Sequence, residues 1–592
     1  MNKSTKKRGT ISRFLRYLGK QKKKLLVVLI LVVAATLMGL WAPILLGKII
    51  DIIAYDIKNI LTTEAIFTPG LEAFGKWIGL LTLLYLSIFI LNYIEKYIMS
   101  AIAENVALTM RKDLSRKLKR LPLSFYDSMQ KGEILSRATN DIEKVAESLR
   151  EGLGQFITAT ITLIGAVALM FYIYPLLALV SIAVILSTSG ITWLISKKSR
   201  IQYSNYQKAI GRINGNIEEA FTGQLVIKAF NHEQQAIDDF EEINQELYQA
   251  AYKSQITTFL VPPVARLISS MGYVAVAVIS GYSVIQGRLS IGTVQAFIQY
   301  LYKSSEPIIE VAYIGNTMQS AIAASKRLFE IMDELDEKQD TISALLTHPK
   351  GQVEFSHVRF GYQPGVELMK DVNICLKAGD KVAIVGPTGA GKTTLVNLLM
   401  RFYDIQAGVI QIDGIDIRKL SRHNLRANFG MVLQDAWLFN GSVRDNIAYS
   451  NPNISDDKVI AAAHAARADY FIRTLPNGYQ TVVNEDGTNF SQGQKQLLTI
   501  ARVILADPAI LILDEATSSV DTRTELEIQM AMDNLMKGRT SFIIAHRLST
   551  IRNADLIMVM NHGCIIEQGN HEQLITKKGF YADLYNSQFN EN

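Results

Sequence analysis

The sequence predicts two folds in one chain. The first is an all-α transmembrane domain of six spanning helices with long cytoplasmic helical extensions, and the second is an α/β domain of the phosphate-loop type. Three observations predict this. The 592 residues exceed what a single core usually holds, roughly 100–200 residues. The chain is 49% hydrophobic and 20% charged, and its long uncharged runs are confined to the first half. From about Gly351 onward, short β-branched runs alternate with glycine loops and helical patterns. The boundaries follow: a basic N-terminal segment 1–24, a membrane domain 25–325, a linker 326–350 and a soluble domain 351–592.

A bilayer core needs about 20 mostly apolar residues per helix. Six runs meet that length: Leu25–Leu46, Trp77–Ile102, Phe156–Ile173, Leu176–Ile195, Phe259–Ile285 and Ile291–Ile314. Ahead of the first lie Lys3, Lys6, Lys7, Arg8, Arg13, Arg16, Lys20, Lys22, Lys23 and Lys24, an uneven placing of positive residues in a chain of net charge +6. Such a cluster could be a nucleic-acid arm. Its position directly before Leu25 reads instead as the cytoplasmic flank of a membrane helix, so no nucleic-acid partner is expected. The apolar run that follows is longer than the roughly 7–15 residues of a signal-peptide core, and no small-residue cleavage site follows it. Segments 104–155 and 197–256 are long, charged and helical in pattern, so with the N-terminus inside both fall in the cytoplasm, as does the C-terminus. Expected localisation is the cell membrane, multi-pass. Cys375 and Cys564 stand far apart and form no disulfide framework or zinc cluster.

Each charged segment has a short break. The first runs Leu121-Pro122-Leu123-Ser124-Phe125-Tyr126-Asp127 and then Lys131–Arg137; the second surrounds Phe221–Phe230. Periodicity leaves two readings open, ordinary turns or transverse contact helices. Polar residues inside spans are costly and mark candidate substrate contacts: Arg266 on the fifth, and Gln295, Gln299, Lys303, Glu306 and Glu310 on the sixth. Lys303 and Glu306 could equally neutralise each other at i, i+3.

In the soluble half, the strand-like Lys381–Val385 leads into Gly386-Pro387-Thr388-Gly389-Ala390-Gly391-Lys392-Thr393-Thr394, followed by a helical pattern. That strand, loop and helix order is the context the G-x-x-x-x-G-K-[ST] motif requires. Glycines let backbone N–H groups wrap phosphates at a helix N-terminus, Lys392 reaches the terminal phosphates, and the Thr393 hydroxyl is placed for Mg²⁺. ATP and Mg²⁺ are therefore the expected cofactors. A second strand-like run, Ile510–Leu513, ends in Asp514-Glu515. Asp514 is the candidate for holding Mg²⁺ and Glu515 the candidate general base for the attacking water. The bland alternative is a pair of capping acids. His546 closes a third such run, Ser541–Ala545, and is the candidate for touching the γ-phosphate, although a lone histidine is more often structural.

Between these lies Phe490-Ser491-Gln492-Gly493-Gln494, opening the helix Lys495–Ala506. The ordered set of phosphate loop, Gln434, this loop, Asp514-Glu515, Ser518-Ser519-Val520-Asp521 and His546 resembles the ABC ATPases. The six-span half resembles the exporter-type membrane domain, so the resemblance covers nearly the whole chain. It implies an ABC-type fold for the α/β half and an ATPase coupled to export of hydrophobic or amphipathic compounds, lipids or peptides. It implies adenine stacking on Tyr362, and a Gln434 that senses Mg²⁺ and the attacking water. By the same resemblance, Glu485 in Asn484–Gly487 lies in the stretch that meets the membrane domain's docking helices, and the two breaks are those helices.

The family pattern at the signature loop is L-S-G-G-Q; here Phe490 replaces Leu and Gln492 replaces Gly. In the family this loop closes over ATP held by the other subunit, with Ser491, Gln492, Gly493 and Gln494 in the contacting positions. A Gln side chain hinders that approach where glycine permits it. Ser518–Asp521 also departs slightly from the usual S-A-L-D. Lys392, Gln434, Glu515 and His546, the groups that act on this chain's own ATP, are all present. That combination resembles one subunit of the heterodimeric exporters, so the expected partner is a second ABC half-transporter with a normal signature loop. A homodimer with two slowed sites, a chelate importer with an exporter-like fold, and an ATP-gated regulator or channel are the alternatives. Glu515 and His546 weigh against the last.

Overall fold

The computed structural model describes residues 9–63, 71–338, 340, 344–363, 365–484, 487–514, 521–544 and 551–589. The chain divides into two compact units: Met1–Arg120 with Met129–Leu335, and Leu121–Ser128 with Asp336–Asn592.

The helices of the first half are α1 (Thr10–Gly19), α2 (Lys22–Thr63), α3 (Leu71–Leu118), α4 (Leu123–Ser128, in the second unit), α5 (Lys131–Ser136), α6 (Ile142–Glu147), α7 (Leu153–Ile173), α8 (Pro175–Thr222), α9 (Gln224–Phe230), α10 (Glu233–Phe259), α11 (Val261–Ile285) and α12 (Ile291–Asp333). Single π-helical turns at Arg137–Asp141 and Ser148–Gly152 carry the chain from α5 through α6 into α7. Among the described residues five helical stretches are long and apolar enough to cross a membrane: Lys22–Lys58, Phe74–Leu118, Lys131–Ile173, Pro175–Thr222 and Glu233–Ile285. The sixth expected span falls on α12, where several side chains between 305 and 316 lie outside the described residues. The 48 residues of α8 extend about 70 Å, more than twice the roughly 30 Å hydrocarbon thickness, so the predicted extensions beyond the bilayer are present.

Local chemistry sets the helix ends. Tyr174 is extended and Pro175 takes the first position of α8, where its fixed φ fits and its missing N–H costs nothing. Pro262 and Pro263 take the second and third positions of α11, within the first turn whose N–H groups have no helical acceptor. At the N-terminal end of α12, Asp51 of α2 accepts from the Gly292 N–H and the Ser290 hydroxyl, both at 2.7 Å. There Gly292 meets the Gly47 backbone so closely that a Cβ would lie 1.8 Å from the Gly47 carbonyl oxygen. Leu40, Met170, Leu177, Val276, Phe297 and Tyr300 form a shared core, with the Tyr300 hydroxyl donating to the Leu40 carbonyl.

Near the C-terminal end of α12, Arg327 donates from Nε and Nη2 to the two oxygens of Asp141, at 2.9 and 2.5 Å. Asp141 is only 5% exposed. Arg327→Gln leaves that carboxylate buried without its cation, at a cost of about 1–3 kcal/mol, discounted because Arg327 itself is half-exposed. The expected result is a thermal midpoint lowered by several degrees in detergent, recovered by adding Asp141→Asn. An unchanged midpoint in the single variant would contradict the assignment.

The second unit is an α/β fold. Its strands are β1 (Val353–Phe360), β2 (Met369–Leu376), β3 (Lys381–Val385), β4 (Ala407–Ile412), β5 (Ile415–Asp416), β6 (Phe429–Val432), β7 (Gly441–Ser442), β8 (Val482–Val483), β9 (Ile510–Asp514), β10 (Thr540–Ile544), β11 (Leu556–Asn561) and β12 (Cys564–Gly569). One sheet has the order β2-β1-β4-β5 and the larger one β12-β11-β3-β10-β9-β6. In the larger sheet β11, β3, β10, β9 and β6 are parallel, and both faces are covered. Ala383, Val385, Leu511, Leu513 and Ile543 point into one core; Val382, Ile384, Ile510, Ile512, Phe542 and Ile544 point into the other. Burial on both sides explains why these strands read as continuous apolar runs rather than alternating ones.

Candidate functional site

Register brings the site together. Ile384 pairs with Ile544, Ile544 with Asp514, and Leu513 with Val432, all in parallel. The carboxyl ends of β3, β10, β9 and β6 therefore lie side by side along one edge, where ligands of open parallel sheets bind. Gly386 follows β3 directly, Asp514 ends β9, and Gln434 stands exposed just past β6. Glu515 follows Asp514 and His546 lies two residues beyond β10; both are outside the described residues, as are Glu485 and Ser518–Val520.

The loop Gly386–Gly391 turns from β3 into the helix Lys392–Leu399. Gly391 has φ +100°, a left-handed conformation that favours glycine, and a Cβ on Gly386 would lie 2.2 Å from the Met560 carbonyl oxygen. Pro387, Thr388 and Gly389 are exposed while Ala390 is buried and braces the turn. Lys392 folds over the loop, its Nζ donating to the Gly386 and Pro387 carbonyls at 2.6 and 3.1 Å. Burial holds its ammonium below the ordinary lysine range, with the Asp514 carboxylate opposing that effect. Thr393 is exposed beside it; Thr394 is buried and shares a 3.0 Å hydrogen bond with the Tyr362 hydroxyl.

Tyr362 is half-exposed and set edge-on against Phe360 and Tyr403, each with ring centroids 5.0 Å away. This fixes the ring and leaves a face open. Sequence reading missed Tyr403: no spacing pattern marks it, yet its hydroxyl donates to the Asp127 carboxylate of α4. Burial, and then that contact, push the phenol well above its usual range.

Ser491 caps the helix Gln492–Ala506, accepting from the Gln494 N–H at 3.3 Å while the Gln494 side chain accepts from the Ser491 N–H at 3.0 Å. Gln492 is half-exposed at the first helical position and Gly493 is buried. Further along this helix is Arg502, also missed, although a cation in the apolar run Leu497–Ala506 was a readable signal. Its Nε and Nη2 donate to the Asn446 carbonyl and side-chain oxygens at 2.8 and 3.1 Å, and Nη1 to the Trp437 carbonyl at 3.2 Å. Arg502 thereby ties this helix to the segment after Gln434.

Among the polar residues of the spans, Lys303 donates to the Gly39 carbonyl at 2.6 Å and lies between two small cavities. One is lined with Thr36, Asn92, Thr158 and Thr162, the other with Tyr273, Gln295 and Gln299. Arg266 and Glu310 are exposed, and the Glu306 side chain lies outside the described residues.

A phosphate loop at the carboxyl edge of a parallel sheet, joined to helices long enough to cross a bilayer, defines a membrane protein with a nucleotide-binding domain. Residues 25–302 match the family model of the ABC transporter transmembrane region, and residues 369–518 that of the ABC transporter domain. The chain is 40% identical to the "Fatty acid ABC transporter ATP-binding/permease protein" of Mycobacterium tuberculosis, over 97% of this chain and 96% of that one. It is 37% identical to the "ATP-dependent lipid A-core flippase" of Syntrophus aciditrophicus, over 92% and 90%. A solved bacterial Atm1-family ABC exporter with ATP bound superposes with a TM-score of 0.75 at 28% identity, covering 96% of this chain and 98% of that one. The chain belongs to the ABC transporter family, and its second unit is the ATPase to which transport is coupled.

Proposed function

We propose that this chain is one half of an exporter that uses ATP hydrolysis to move lipid-like amphipathic compounds. The observation that carries the reading is the strand register, which gathers the phosphate loop, Asp514 and Gln434 at one sheet edge of a chain that also spans the membrane. The relatives named for fatty acids and lipid A support a substrate with an acyl chain and a polar head. Lys303, lining both cavities in the bundle, offers such a head a cation among neutral polar side chains.

At the ATPase site Lys392 holds the terminal phosphates and the face of Tyr362 takes adenine. The donor chemistry fits Mg²⁺: the Thr393 hydroxyl, the Asp514 carboxylate and the Gln434 amide oxygen are hard oxygen groups. When bound, the ion neutralises charge on the phosphates. Glu515 takes a proton from the attacking water and His546 stabilises the γ-phosphate. Gln492 is the observation behind a heterodimer, because its side chain stands at the helix start that would approach the partner's ATP. Both breaks act as docking elements: α4 belongs to the same compact unit as the ATPase, and the second break presents Phe221 at the end of α8 with Leu225 and Phe230 of α9, all more than 70% exposed. Both termini are cytoplasmic.

The test is transport. In inside-out vesicles, ATP should drive uptake of a fluorescent fatty acid, and the same compound should raise ATPase activity roughly two- to fivefold, the size of a modest coupling free energy. Stimulation by an apolar drug but by no acyl compound would overturn the lipid reading.

A further inference from the structure

The helix α1 carries three stripes. Phe14 and Leu18 are buried against the helical unit, with Arg13 and Tyr17 half-buried beside them. Ile11 and Leu15, one turn apart, are each 56% exposed. On the far side of that apolar pair, Ser12, Arg16 and Lys20 face outward, and Lys22, Lys23 and Lys24 continue the exposed cations to the start of α2. The exposed apolar surface then resumes with Leu26, Val27 and Ile30 on the first membrane span. An apolar edge continuous with a lipid-facing span, bordered by cations, is the pattern of a helix lying in the plane of a membrane interface.

The inner stripe is fastened to one place. Arg13 Nη1 donates to both oxygens of Asp333 at 2.6 Å, and its guanidinium lies 4.2 Å from the centre of the Phe329 ring. Tyr17 stacks on the same ring and donates to Asp113 of α3 at 3.0 Å. Lys117 of α3 donates to the Glu334 carbonyl. Phe329 and Asp333 form the last turn of α12, at the end of the helical unit. A helix whose only role was to anchor the N-terminus would not need four contacts on that turn.

We propose that α1 is an anionic-lipid-binding latch: Arg16, Lys20, Lys22, Lys23 and Lys24 take the headgroups of acidic phospholipids, Ile11 and Leu15 enter the acyl boundary, and Arg13 fixes the end of α12 to the helix so held. The partner is the membrane surface itself, chosen by charge complementarity and by continuity with the first span. Headgroup occupancy holds α1 in place, and through Asp333 it sets the position of the turn that leads into the ATPase unit. Lipid composition thereby regulates hydrolysis through a helix that contributes no residue to the nucleotide site.

The full-length transporter, with its partner where one is required, is reconstituted in phosphatidylcholine vesicles with or without about 30% phosphatidylglycerol, a surface charge at which each basic residue gains measurably. Wild-type ATPase should rise roughly threefold or more with the acidic lipid, and the rise should shrink with salt as screening shortens. Replacing Arg16, Lys20, Lys22, Lys23 and Lys24 with Gln should abolish the rise while leaving the rate in neutral lipid unchanged. Asp333→Asn should also lose the rise, yet a polarity-sensitive dye on Ser12→Cys, with Cys375 and Cys564 replaced by Ser, should still report α1 at the bilayer. Equal stimulation of the wild type and the Gln variant would overturn the proposal. So would a Gln variant that changes the oligomeric state instead of the lipid response, since α1 would then face a protein.

Discussion

Glu515→Gln should reduce ATP hydrolysis at least a hundredfold while ATP affinity stays within about threefold. General-base catalysis contributes roughly 10²–10⁴ in rate, and Gln keeps the shape of the side chain without its proton-accepting charge. The neighbouring carboxylate cannot take over, because Asp514 ends β9 beside Ile544 and Leu513 is its last apolar residue, so its position is fixed by the sheet. The same measurement separates the two assemblies. The altered loop at Gln492 predicts that wild-type chain alone hydrolyses slowly, and that a half-transporter with an L-S-G-G-Q loop restores turnover that Glu515→Gln then removes. Equal rates with and without that partner would make Gln492 a tolerated substitution in a homodimer. Retention of most activity in the Glu515→Gln assembly would place the working base in the partner.

How much of this was legible in the sequence depends on how local each signal is. The strands Lys381–Val385 and Ile510–Asp514 read correctly because burial on both faces removes the alternation that would otherwise confuse them with surface strands. The strand, loop and helix order around Gly386–Gly391 was legible because its glycines are demanded locally, at Gly391 by backbone conformation and at Gly386 by the Met560 carbonyl. The short helices α4 and α9 were visible only as breaks. Nothing within Leu121–Asp127 told that α4 would pair Asp127 with Tyr403, since that contact joins residues 276 positions apart. Nor could periodicity show that Lys303 reaches the Gly39 carbonyl, because the register between α2 and α12 is set by the Gly47–Gly292 approach. Arg13 was legible as one of ten N-terminal cations and illegible as the one that holds Asp333.

Lys392→Met should fail one step earlier than Glu515→Gln. Its ammonium now sits on the Gly386 and Pro387 carbonyls, half-buried, and is the charge the loop presents to an entering triphosphate. Losing two charge-assisted phosphate contacts costs about 3 kcal/mol, roughly a hundredfold in ATP affinity. Methionine preserves the aliphatic stem, so folding is retained and the loss falls on binding. Fluorescent-nucleotide titration should show this directly, whereas Glu515→Gln should bind and hold the same probe. The wild type carries a further signature. Burial lowers the free lysine's pKa, and bound phosphate, being anionic, raises it again. ATP affinity is therefore level at pH below the lowered value and declines as pH rises through it, since the ligand must then bring a proton with it. Lys392→Met lacks that decline. An identical alkaline loss of affinity in both proteins would assign the titration to another group and remove Lys392 from the phosphate contact.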